Sequence, residues 1–160
     1  MDIKIVEWKD EYFADYFDLS MEWLRDYDIV EPIDIEIITH PHEKVLDDGG
    51  MIFFANCEGR NVGTISMIRM DDDCFELAKI GITKSFRGLG IGNLLMEAAI
   101  DFARDKGAKK IILFTIDMLV PAVNLYHKYN FVDIPHTDSK YEDSDMKMEL
   151  YLNKDSQEGS

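Results

Sequence analysis

Positive charge is scarce in this chain. Lys and Arg total 17 against 32 Asp and Glu, a formal net charge of −15. A protein that neutralises nucleic-acid phosphates needs a basic face of some extent, so nucleic acid is disfavoured as a partner. Cysteine is scarce too. Cys57 and Cys74 are the only two, and their spacing fits neither a metal site nor a redox motif, which reads as free buried thiols in a reducing cytosol. No apolar run approaches the roughly 20 residues that span a bilayer. Residues Met1 to Asp10 carry Asp2, Lys4, Glu7 and Lys9 rather than the apolar core of a signal peptide. A cytoplasmic protein without membrane contact is expected. The histidines do not cluster; His40 and His42 read as parts of a surface turn, and no metal is expected.

What is present is enough apolar material for one good core: 160 residues, 46% hydrophobic. A single domain over residues 1–152 is expected, followed by a polar tail, 153–160. The most informative segment is Arg87-Gly88-Leu89-Gly90-Ile91-Gly92. A strand-like stretch, Phe75 to Thr83, precedes it. After it, Ile91, Leu94, Leu95, Ala98, Ala99, Phe102 and Ala103 recur at the spacing of one buried helix face. A glycine-rich turn opening a helix gathers unpaired backbone amides and the positive end of the helix dipole, a setting for a phosphate. Arg87 adds a cation of fork geometry. A P-loop is excluded because no Lys-Ser/Thr follows the glycines, and a dinucleotide fingerprint because Asn93 stands where its third glycine belongs.

The remaining pattern, Arg-x-x-Gly-x-Gly, resembles the acyl-CoA signature of the GNAT acetyltransferase superfamily. Pro121-Ala122-Val123-Asn124-Leu125-Tyr126 through Phe131 is similar to that family's late motif, A-x-x-L-Y-x-x-x-G-F. Glu76 to Ile82 resembles its central strand, and Gly49–Ala55 with Val62–Ile65 its first hairpin. The resemblance covers roughly residues 3 to 152. Two positions depart from it. Asn130 replaces a glycine but tolerates the same left-handed turn. Leu119 replaces an asparagine, which removes a polar cofactor contact unless Asn124 supplies it.

The resemblance implies an α/β fold, a mixed twisted sheet of about seven strands with helices on both faces. It implies that the strands at Phe75–Thr83 and Lys110–Ile116 run parallel and splay apart, with Gly81 at a bulge. It implies acetyl-CoA as co-substrate. Backbone groups of Ile80, Gly81 and Ile82 would pair with the pantetheine arm. Arg87, Gly88, Leu89, Gly90, Ile91, Gly92 and Asn93 would hold the pyrophosphate, with Asn124 and Lys128 nearby. Tyr126 would be the general acid for the departing thiolate, and a backbone amide of the bulged strand would polarise the thioester carbonyl. Many family members pair through sheet edges or helices, so a homodimer is compatible.

Acetyl transfer to an alkylamine needs a group to accept the amine's proton. Glu76, on the cofactor strand, is the candidate base, acting directly or through one water. Its alternatives are to bind a cationic substrate or to pair with a lysine. A covalent role for Cys74 is disfavoured, since the sequence sets no histidine beside it.

Charge is unevenly placed. Between Lys79 and Lys128 eight basic residues face four acidic ones, leaving −19 on the rest of the chain. That asymmetry favours an anionic ligand on one side and a cationic one on the other. The acceptor is therefore expected to be a small cationic amine. The pocket is expected from the two early helices, the hairpin strands and the late loop from His136 to Tyr141. Alternatives are a protein N-acetyltransferase, or a non-catalytic acyl-CoA-sensing module on the same fold.

The coarse order reads β-α-α-β-β-β-α-β-α-β-β. A strand spans Asp2 to Trp8 and a helix Glu11 to Tyr27. A second helix starts at Pro32 and runs toward Val45 and Leu46. Strands at Phe131–Ile134 and Met146–Leu152 could pair.

Overall fold

In the computed structural model, residues 2–137 and 139–152 are described; the predicted tail lies outside them. The elements are β1 (Ile3–Glu7), α1 (Phe13–Asp26), α2 (Pro32–Thr39), β2 (Met51–Cys57), β3 (Arg60–Asp71), β4 (Cys74–Ile82), α3 (Ile91–Asp105), β5 (Lys110–Thr115), α4 (Val120–Lys128), β6 (Val132–Ile134) and β7 (Met146–Tyr151). The order is the one the sequence predicts. The strands form one sheet, β1-β2-β3-β4-β5-β7-β6. Only β4 and β5 are parallel; the other pairs, β6 with β7 included, are antiparallel.

Strand alternation sorts the apolar side chains between two cores. Ile52, Phe54, Ile68 and Ala78 face α1 and α2, meeting Tyr16, Leu19, Leu24, Ile37 and Ile38. Phe53, Ile65, Met67, Phe75, Leu77 and Ile111 face the other way, against Leu95, Met96, Ala99 and Ala103 of α3. The β2–β3 turn is two residues, Glu58 and Gly59, both with positive φ (50° and 91°), the backbone a tight hairpin of right-handed twist requires.

The second helix does not run on to Leu46. It stops at Thr39, and after Pro41, which has no N–H to donate, the chain makes a single π turn, His42–Leu46. Gly50 closes that turn, its N–H reaching the Val45 carbonyl at 2.9 Å; a Cβ there would collide with the carbonyls of Val45 and Met67.

The splay between the parallel strands is present. β4 pairs with β5 only through Cys74–Lys110, Phe75–Ile111 and Glu76–Ile112. Beyond Glu76 the two separate, and the rest of β4 is held by β3 alone. The bulge is not at Gly81. The β3–β4 register steps from Ser66–Ala78 to Thr64–Gly81, so Lys79 and Ile80 oppose the single residue Ile65. Lys79 takes the left-handed conformation, φ 54°, which turns its side chain to the α2 side beside Ala78. Gly81 serves another purpose: a Cβ on it would lie 3.2 Å from the Leu19 carbonyl and 3.4 Å from Trp23 Cβ. The small residue lets α1 lie close against the opened strand.

Candidate active site

Glu76 stands at the fork of the splay, the last β4 residue paired with β5. It is 1% exposed. Its Oε2 accepts a hydrogen bond from the Tyr141 hydroxyl at 2.8 Å, and its Oε1 lies 2.7 Å from the Lys140 ammonium. Of the alternatives open for Glu76, pairing with a lysine is therefore met in this structure. Burial, and then the adjoining Glu76 carboxylate, push the Tyr141 phenol well above its ordinary range, so it stays protonated and donating.

Around this carboxylate a cavity of ≈ 70 Å³ is lined by residues that include Trp23, Leu24, Asp34, Lys79, Phe114, Leu119, Tyr126 and Tyr141. Tyr126 belongs to the core on the α3 side of the sheet, yet it lines the same cavity as Glu76, which looks toward α2. The parting of β4 and β5 brings them together: one helix behind the sheet and one strand face in front of it meet at a gap in the sheet. Tyr126 is buried, its ring 6.1 Å from that of Phe131. Its hydroxyl has no hydrogen-bond partner among the described residues, and burial raises its pKa.

The predicted pocket walls need correction. α1, α2 and the late loop contribute, but β2 and β3 do not. From the late loop it is Tyr141, Asp143 and Ser144 that line the cavity, not His136. Nor does Lys79 belong to a basic phosphate side. It is buried in an ion pair with Asp34 on α2, their side chains 5% and 3% exposed, and lies 4.9 Å from the centre of the Tyr141 ring. Its spacing in the sequence gave no sign of this; the bulge decides it.

At the other end of β4, the glycine turn leads into α3 with Gly88 at φ 78° and Gly90, its N-cap, at φ 83°. Among the described residues the backbone N–H groups of Gly88, Leu89, Gly90, Ile91 and Gly92 have no acceptor. A run of free amides at the start of a helix is what an anion requires. Ile91 is buried by the Leu95 side of α3, whereas Leu89 is 53% exposed. Gly92 sits against α4, where a Cβ would come 3.1 Å from Leu125.

Arg87 does not point into this turn. Its Nε donates to the Ile82 carbonyl at 2.8 Å, and its Nη2 lies 3.1 Å from Asp26 and 3.3 Å from Glu22. Glu22 also receives the Thr83 hydroxyl and the Lys84 amide. Arg87 thus braces the turn to α1, and the Ile82 carbonyl already has a partner. Glu22 and Asp26 carried no motif in the sequence; their place one helical turn apart on α1 was the available signal. Asn93 is held by Lys128, whose Nζ donates to Oδ1 at 2.7 Å, and by Tyr129 at 3.2 Å. Asn124 is exposed on α4, and Leu119, 2% exposed, presents an apolar wall to the cavity. Asn130 adopts φ 71°, as its replacement of glycine requires.

Cys57 and Cys74 are free and buried. Burial raises the Cys74 thiol pKa, which opposes a thiolate nucleophile. His42 is engaged with Asp10 at 2.6 Å.

A seven-stranded mixed sheet with one splayed parallel pair, a helix opened by a glycine turn and a tyrosine at the gap define an acyltransferase architecture. Residues 4–131 match the family described as Acetyltransferase (GNAT) family, and the chain belongs to it. Among curated proteins it is 27% identical over 121 residues to human N-acetyltransferase 8B, covering 72% of this chain and 52% of that one. The chain thus spans about half the length of the curated relatives it matches first. Among solved structures, an acetyltransferase of the GNAT family from Staphylococcus aureus MU50 superposes with a TM-score of 0.85 at 24% identity, covering 95% of this chain and 100% of that one. Spermidine N-acetyltransferase from Vibrio cholerae, in complex with CoA and spermine, gives a TM-score of 0.71 at 19% identity, over 93% and 95% of the two chains. Both share the fold. No described helix is long and apolar enough to cross a membrane.

Proposed function

We propose that this protein is an acetyl-CoA-dependent N-acetyltransferase acting on a small cationic amine, with direct attack in a ternary complex. What carries the reading is that Glu76 and Tyr126 line one cavity, at the point where the parallel strands part. Membership of the acetyltransferase family supports the activity, and the fold shared with a CoA- and spermine-bound enzyme supports the substrate classes.

The donor fits the residues present. The free amides of Gly88 to Gly92 suit its pyrophosphate, with Asn93 and Lys128 at the rim of the same turn. The β4 edge at Ile80 and Gly81, unpaired on the β5 side, suits an amide-bearing arm added like a strand. Bound there, acetyl-CoA supplies an activated acyl carbon. Glu76 accepts the proton the amine must lose before its lone pair can attack. Tyr126, kept protonated by burial, would give its proton to the sulfur as the carbon–sulfur bond breaks, and the second proton shed by the acylated nitrogen would restore the phenol. The acidic and aromatic lining (Asp34, Glu76, Asp143, Trp23, Tyr141) suits an ammonium. The amide would be released as the neutral product, which no longer satisfies Glu76.

Thioester loss from acetyl-CoA across a panel of amines, with wild type beside Tyr126→Phe and Glu76→Gln, tests this. Turnover with a cationic acceptor that collapses in both variants is the expected result. Tight binding of acetyl-CoA without acetylation of any amine would overturn it.

A further inference from the structure

The cavity holds a cation of the protein's own. Lys140 Nζ lies 2.7 Å from Glu76 Oε1 and 5.5 Å from the centre of the Tyr141 ring. Oε1 has no hydrogen bond of good geometry and is fully buried, so this ammonium is the one partner it has among the described residues. The contact is loose on the lysine side: the Lys140 side chain is 36% exposed, while that of Glu76 is 1% exposed.

Charge bookkeeping makes the arrangement informative. Deep in the cavity Asp34 is neutralised by Lys79, both almost fully buried. That leaves the Glu76 carboxylate, and Lys140 supplies its counter-charge from a loop. That loop is tethered to the start of α2: the Glu31 carboxylate accepts the Glu142 amide at 2.7 Å and the Asp143 amide at 3.2 Å. The Ser139 and Ser144 hydroxyls, 2.6 Å apart, close its two arms. A primary ammonium on four methylenes thus stands within proton-transfer distance of the candidate base, over an aromatic face, where an acceptor amine would have to stand.

We propose that Glu76 Oε1 and the Tyr141 ring form a subsite for one primary alkylammonium, and that Lys140 is its tethered occupant, which an external amine must displace. The inference rests on the reading of Glu76 above, and it adds the chemistry of the ligand and a residue that governs access. Lys140 acts as an intramolecular competitor. If it fills the subsite nine-tenths of the time, the apparent affinity for an external amine is about tenfold weaker than the intrinsic one. A guanidinium in its place would occupy the subsite as well; a neutral side chain would vacate it.

The test needs no acetyl donor. n-Butylammonium chloride is titrated calorimetrically into wild type, Lys140→Met, Lys140→Arg and Lys140→Met/Glu76→Gln, and the thermal midpoint of each is recorded. Tighter binding to Lys140→Met by about tenfold, little change in Lys140→Arg and loss of binding in the double variant are expected. Equal or weaker binding in Lys140→Met, together with a lowered midpoint, would show that Lys140 is a fixed counter-ion of a buried carboxylate and overturn the proposal. Absence of binding in every variant would overturn it too, leaving acetyl transfer to be judged by thioester loss alone. The expected binding without any acetyl transfer would keep the subsite and reject the enzyme.

Discussion

The two ends of β4 treat charge in opposite ways. At its bulged middle and fork, every buried carboxylate meets a cation of the chain itself: Asp34 meets Lys79, and Glu76 meets Lys140. At its far end, the turn from Gly88 to Gly92 leaves a row of backbone amides unsatisfied and spends its one arginine on Glu22 and Asp26. The difference follows from solvent. Amides on an exposed turn are satisfied by water until an anion arrives, so leaving them free costs little. A carboxylate 1% exposed has no such recourse, and an uncompensated buried charge costs several kcal/mol. The glycine turn can wait open; the buried carboxylate must be met by something.

The largest loss is expected when one partner of the inner pair is removed. Asp34→Ala leaves Lys79 buried and unpaired and also undoes the capping box at the start of α2; a loss of about 3–5 kcal/mol in denaturant unfolding is expected. Lys79→Met combined with Asp34→Asn should cost less than Asp34→Ala alone, because it leaves no unpaired charge.

Next in size is the chemistry at the gap. Tyr126→Phe keeps the ring that packs on Phe131 but removes the proton, so kcat for amine acetylation should fall about a hundredfold or more with the thermal midpoint nearly unchanged. An unaltered kcat would make Tyr126 a packing residue only.

The donor side should respond more mildly. Gly90→Val places a β-branched residue at φ 83° in the middle of the amide row. Weakening of CoA binding by about tenfold, the equivalent of one hydrogen bond to a charged group, is expected by calorimetry. The acceptor subsite, at the opposite end of β4, should bind n-butylammonium unchanged.

The smallest effect belongs to the exposed pair that ties the π turn to the residues before α1. The hydrogen bond to Asp10 raises the His42 pKa above its usual value, so the histidine binds its proton more tightly in the folded chain. Hydrogen bonds from Trp8 and then His42 hold the Asp10 carboxyl below its own. The pair's contribution is therefore complete at a pH between the two ordinary values. It fades as pH rises through the folded His42 pKa and as pH falls through the folded Asp10 pKa. A shallow decline of the thermal midpoint from pH 6 to pH 8 that Asp10→Asn flattens would show it.

Much of this was legible in the chain. Helix α3, the hairpin β2–β3 and the late helix α4 announce themselves through apolar period, turn residues and a proline, since local backbone preference and burial point the same way. The glycine turn was legible for the same reason: only glycine accepts the conformations at Gly88 and Gly90 without strain, so its function leaves a mark in composition. The bulge at Lys79 and Ile80 is not legible in the chain, because its signal, a left-handed lysine, looks like any surface lysine in a sequence. Gly81 drew attention for the right property, a missing Cβ, but what uses that space is α1, a partner 58 or more residues away in the chain.

The elements, their order and the family are thus written in the chain, because these rest on interactions between near neighbours and on residues with no conformational substitute. Which charges meet is a matter of the folded arrangement. That Lys79 belongs to Asp34, Arg87 to Glu22 and Asp26, and Lys140 to Glu76 depends on four contacts between distant segments. The physical reason is that a long charged side chain has no preferred neighbour until folding removes water from one of the acids within its reach.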